Sequence, residues 1–162
     1  MLFKVILTII ISIFLLACDA KSDDELKKFV SLKGKIVNIR NGPGEEYKVI
    51  RSYDKTKMPL SIIHRIDNWY MVKDYQDNIG WLRVNLVNSN AKYRTIIMKA
   101  NHQITRFPSE NSTSVGEIKK SEIAILEKCN LTFCRIKIPE KNLAGWIGRA
   151  SLWGVGQNEV VK

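Results

Sequence analysis

Few side chains in this sequence could do chemistry. Among its 162 residues are three cysteines and two histidines. Cys129 and Cys134 bracket the stretch Asn130 to Phe133, the tip of a predicted hairpin. Facing residues of an antiparallel pair lie about 4.5–5.5 Å apart at Cα, within reach of a disulfide. A metal site needs more ligands than this pair supplies, and neither His64 nor His102 stands at ligand spacing from it. No metal or cofactor is expected. Neither histidine lies near a nucleophile motif, so no triad can be assembled and no enzyme is expected. Asp67, Asp74 and Asp77 fall in turn-rich sequence and read as solvated turn residues. What remains is aromatic. Tyr47, Trp69 and Trp81 form a candidate ligand-binding face, set against the plainer reading in which a tryptophan of a small β domain simply fills space.

The elements that must position these residues are short strands. Trp69 to Lys73 alternates large and polar side chains, Asp74 to Asn78 is rich in turn formers, and Gly80-Trp81-Leu82 resumes an extended run. That order predicts a hairpin. Alternation puts Tyr70, Val72 and Leu82 toward a core and leaves Trp69 on the face of Lys73, partly exposed. A similar arrangement returns at Phe133 to Ile138 and Gly145-Trp146-Ile147, before Leu152-Trp153. Trp81 and Trp146 are 65 residues apart, and Arg40 and Arg106 are 66 apart, which argues for an internal duplication. Each unit would approach the lower size limit for a self-sufficient core.

The chain opens as an exported protein would. Lys4 precedes an apolar run, Val5 to Leu16, too short for the ~20 residues of a membrane span but suited to a signal peptide. Leu15-Leu16-Ala17-Cys18 resembles the lipobox of bacterial lipoproteins, which implies lipidation of Cys18 and a membrane anchor there. Ordinary cleavage after Ala20 is the other reading. Residues 1–17 are then the signal peptide and 18–31 a charged tether. With Cys18 lipidated and the hairpin oxidised, all three cysteines have a use. A net charge of +10 is spread over both units without a polybasic run. It would attract the chain to anionic surfaces, but the plainer and favoured reading is the Ile-, Lys- and Asn-rich codon usage of an AT-rich genome. Nucleic acid is not an expected partner of an exported chain.

Asn38-x-Arg40-x-Gly42-Pro43, Trp69-Tyr70-x-Val72 and Gly80-Trp81-Leu82 resemble the bacterial SH3-like domain. Arg106-Phe107-Pro108 is a degraded echo of the first motif, and Gly145-Trp146-Ile147 a clear copy of the last. The whole resembles a tandem-repeat type of small exported protein found in alphaproteobacteria, which also carries two cysteines across the second hairpin. The resemblance implies an all-β fold of two tandem SH3-like small antiparallel barrels, at 32–88 and 92–155, with a tail at 156–162. It also implies a non-catalytic, periplasmic binding module for peptidoglycan or another envelope polymer; a protein-interaction adaptor for an envelope protein is the alternative. Proline-rich peptides are not expected, because Arg83 and Leu86 replace the residues that build that groove in eukaryotic relatives.

Overall fold

The computed structural model describes residues 28–90 and 94–162. The expectations for the signal peptide, for Cys18 and for cleavage after Ala20 lie outside the described residues. Among those described there is no α-helix, and the chain folds into two seven-stranded antiparallel sheets. The first contains β1 (Lys28–Leu32), β2 (Val37–Arg40), β3 (Val49–Tyr53), β4 (Pro59–Ile66), β5 (Trp69–Lys73), β6 (Ile79–Arg83) and β7 (Val87–Asn88). The second contains β8 (Thr95–Met98), β9 (His102–Thr105), β10 (Ser114–Ile118), β11 (Ile123–Cys129), β12 (Phe133–Ile138), β13 (Leu143–Gly148) and β14 (Leu152–Trp153). The order β3-β2-β6-β5-β4-β1-β7 is repeated by β10-β9-β13-β12-β11-β8-β14. The fold is all-β.

The strands form where β-branched and aromatic residues alternate with polar ones. Val37 and Ile39 of β2, Val72 of β5 and Leu82 of β6 enter the first core, with Leu60 and Ile62 of β4. Ile104, Ile118, Leu126, Ile136 and Ile147 occupy the second. The β5–β6 turn is built on Asp74, which the sequence placed among solvated turn residues. It is only 1% exposed. Its carboxylate accepts hydrogen bonds from the Tyr53 hydroxyl (2.6 Å), the Gln76 and Asn78 backbone amides and the Asn78 side chain (2.9 Å each). A buried carboxylate is tolerated only with such a complement of donors. Burial pushes its pKa up, but the bonds from Tyr53, Asn78 and Gln76 outweigh it and hold the group below the ordinary carboxylate range.

Two expected boundaries move. Residues 28–31, read as the end of the tether, lie in β1, where Val30 and Ser31 are buried. The tail is also part of the fold. Val161 bridges Cys129 in antiparallel fashion, with amide bonds of 2.8 and 3.0 Å, and Glu159 forms an ion pair with Arg94.

β8 joins the two units. Its sequence Thr-Ile-Ile-Met has no polar alternation and is buried throughout, as a strand covered on both faces must be. Ile96 and Met98 point into the second core, while Ile97 belongs to the first. Beside it, the Thr95 hydroxyl contacts Ser31 Oγ at 2.7 Å and donates to the Lys57 carbonyl at 2.6 Å. The Phe29 ring meets Trp153 edge-on at 5.1 Å, and the Arg94 guanidinium lies 5.5 Å from the same Phe29 ring.

Candidate functional site

Within the first sheet, strand pairing sets Trp69 opposite Arg83 and Trp81 opposite both Met71 and Arg40. Neither tryptophan belongs to the core cluster. Both are nevertheless buried, at 8% and 7% exposure, so the expectation of a partly exposed Trp69 is corrected. The cover is charged. The Arg83 guanidinium lies 5.2 Å from the Trp69 ring centroid, and its Nε donates to Glu45 at 2.6 Å. Arg40 donates to the same carboxylate and to the carbonyls of Glu45 (2.9 Å) and Tyr47 (2.7 Å). The hydrogen bond from Arg83, then the charges of Arg40 and Arg83, hold the Glu45 carboxyl below its ordinary range. His64 meets Trp81 edge-on at 6.1 Å. Tyr47 is 41% exposed and lies against Gly42, where any Cβ would come within 2.3 Å of its ring. Of the three sequence candidates, Trp69 is covered by Arg83, Trp81 is buried beside His64 and opposite Arg40, and Tyr47 alone is exposed.

The second sheet presents the same face in a different state. Trp146 stands opposite Thr105, and Phe133 opposite Gly148, in the pairings that join Trp81 to Arg40 and Trp69 to Arg83. The loops correspond as well: Asn41 N to Lys48 O and Tyr47 N to Gly44 O are matched by Arg106 N to Thr113 O and Ser112 N to Ser109 O. Glu110 therefore takes the place of Glu45, Ser112 that of Tyr47, and Thr105 that of Arg40. The pairing of Arg40 with Arg106 expected from sequence is off by one. Where Arg83 covers Trp69, Gly148 has no side chain, and a Cβ built there meets nothing within 4 Å. The result is a groove of about 670 Å³, floored by Trp146 and Phe133 and walled by His102, Gln103, Glu110 and Glu117. That volume falls in the ~300–1,000 Å³ range typical of small-ligand sites.

Ser151 Oγ lies 2.6 Å from His102 Nε2 at the edge of the groove, a contact between residues far apart in the sequence. A serine–histidine contact can begin a nucleophile–base pair, which needs a third group to orient the ring. Among the described residues, no carboxylate is hydrogen-bonded to His102. No group of three or more His, Cys, Asp or Glu suited to a metal occurs among them either. Arg149 also lines the groove, but its guanidinium donates to the carbonyls of Asn130 (2.6 Å), Glu159 (2.8 Å) and Gly156. Those bonds tie the tail to the hairpin tip. At that tip Cys129 and Cys134 are register partners, joined as a disulfide with Cα atoms 4.1 Å apart.

The first unit thus combines an arginine-anchored loop, a Trp-Tyr hairpin strand and a Gly-Trp strand. Residues 33–88 match the family model of the bacterial SH3 domain. This bacterial SH3 domain match runs from just after β1 to β7, so it takes in the closed aromatic face and stops before the open groove. Among solved structures, the chain is similar to NlpC1 from Trichomonas vaginalis, at 13% identity with a TM-score of 0.37. The similarity covers 85% of this chain and 49% of that one, so the chain spans about half that protein's length. No curated protein matches the chain.

Proposed function

We propose that the protein is a non-catalytic binding module of the cell envelope that recognises peptidoglycan or another envelope polymer through the groove over Trp146. The observation that carries this is the contrast between the two aromatic faces: one sealed by Arg83, the other open to solvent with polar groups around two rings. Aromatic floors with hydrogen-bonding walls suit polar, partly apolar ligands such as glycan or short peptide. The bacterial SH3 domain match supports the class. Export and a lipid anchor at Cys18 would place the groove in the periplasm beside the wall. Mass spectrometry of the mature protein tests that location: a start at Cys18 with acyl mass supports it, and a start at Lys21 removes the anchor.

Binding is tested by retention of the protein on purified sacculi. Trp146→Ala is expected to abolish a retention that survives moderate salt, whereas Arg83→Ala is expected to leave it intact. Retention that salt removes and Trp146→Ala does not would reduce the interaction to the attraction of a basic protein for an anionic polymer. One observation favours the adaptor reading. β3 is an edge strand of the first sheet with exposed Val49 and Ile50, and Ile79 is exposed nearby. Such an edge can accept a strand from another protein. Co-purification of one defined envelope protein, lost on Ile50→Lys, would favour it.

A further inference from the structure

We infer that the groove of the second unit takes a positively charged group, the primary ammonium of a short cell-wall peptide, in the position that Arg83 occupies in the first. This rests on the reading of the groove as an envelope-polymer site and deepens it. The first unit displays the intended arrangement with an internal cation: a guanidinium over an aromatic ring, bonded to a loop carboxylate. Stacking and charge-assisted hydrogen bonding act together there. In the second unit the ring (Phe133) and the carboxylate (Glu110) both remain, and both line the groove. The two cations do not: Arg40 is replaced by Thr105 and Arg83 by Gly148.

Glu117 adds a second carboxylate to the wall. The groove's own cation, Arg149, is engaged with three backbone carbonyls, one at the hairpin tip and two on the tail. The other titratable group facing the groove is His102, bonded to Ser151. Two carboxylates beside an aromatic ring favour a cation. A peptide suits the groove better than a bare ion. Gln103 and Thr132 also line the groove and can bond an extended backbone, and the space far exceeds one ammonium.

The probe is a disaccharide-tetrapeptide from peptidoglycan carrying a free primary amine, titrated by tryptophan fluorescence against the same fragment acetylated or guanidinylated at that amine. The expectation is that acetylation weakens binding about tenfold or more while guanidinylation, which adds bulk but keeps the charge, does not. Glu110→Gln should weaken the native fragment several-fold. Gly148→Arg should abolish its binding by rebuilding the internal cation. That variant is expected to fold, since Gly148 has an ordinary backbone (φ −60°, ψ 129°) with open space at Cβ; an unchanged melting temperature checks it. Equal binding of the acetylated fragment, or undiminished binding by folded Gly148→Arg, overturns the inference. So does failure of every fragment to bind. The fate of the envelope reading is then decided separately, by Trp146-dependent retention on sacculi. Capture of a protein ligand in this groove in place of any wall fragment overturns both.

Discussion

At the scale of single residues, Asp74 and Arg83 show how the surroundings decide what a side chain does. Asp74→Ala is expected to cost about 2–4 kcal/mol, because it strands the Tyr53 hydroxyl and loosens the amides gathered at the turn. Chemical denaturation measures it, and a loss under ~0.5 kcal/mol would count against the turn as a structural anchor. The same group sets an acid limit. Its native pKa lies below the unfolded value near 4. Its contribution is therefore complete above that unfolded value and is lost as pH falls through the depressed native one. Wild type should lose stability below about pH 4, with a shallower slope in Asp74→Asn. Arg83 is a cover. Arg83→Gly is expected to leave the melting temperature nearly unchanged, as its ion pair with Glu45 is solvent-exposed. It should nevertheless red-shift Trp69 emission and raise its quenching by acrylamide; unchanged quenching would mean that the ring is shielded by something else.

Among the elements, the hairpins were the most legible. Trp69 to Leu82 announces its turn through Asp and Asn and its strands through alternation, and the second hairpin repeats this. The disulfide followed from the same reading, since a short loop between paired strands sets its two ends face to face. Replacing both Cys129 and Cys134 by Ser is expected to cost about 2 kcal/mol by loop-closure entropy, measured by denaturation; no cost would mean that the tail strand through Val161 holds the hairpin by itself. β1 was not legible, because Phe29 and Val30 sit among charges and the strand gains its burial from β4 and β7 rather than from its own pattern. The groove was hidden for another reason. Its signature is two missing arginines, and a missing residue can be seen only in register. Aligning Arg40 with Arg106 masks the loss, whereas aligning Trp81 with Trp146 and counting back shows Thr105.

For the whole molecule, the question is whether two small units behave as two bodies or one. Each has its own core, yet β8 serves both, with Ile97 inside the first while its neighbours fill the second. The seam also holds a buried hydroxyl pair, Ser31 and Thr95, and the stack of Arg94 on Phe29. Arg94 in turn binds Glu159, whose pKa is lowered chiefly by that hydrogen bond, so the tail, the seam and the first strand are linked. Units this small gain much from a shared apolar strand. A single cooperative thermal transition is therefore expected, with calorimetric and van't Hoff enthalpies in agreement. Ile97→Ala should lower the stability of the whole by about 2–4 kcal/mol through the cavity it opens. In the same variant, near-ultraviolet signals from the first-unit tryptophans and from Trp146 should still melt together, unless the seam has become weaker than the weaker core. Two separate transitions in the unaltered protein would show that β8 touches the first core without coupling to it, and the groove would then ride on an independent domain.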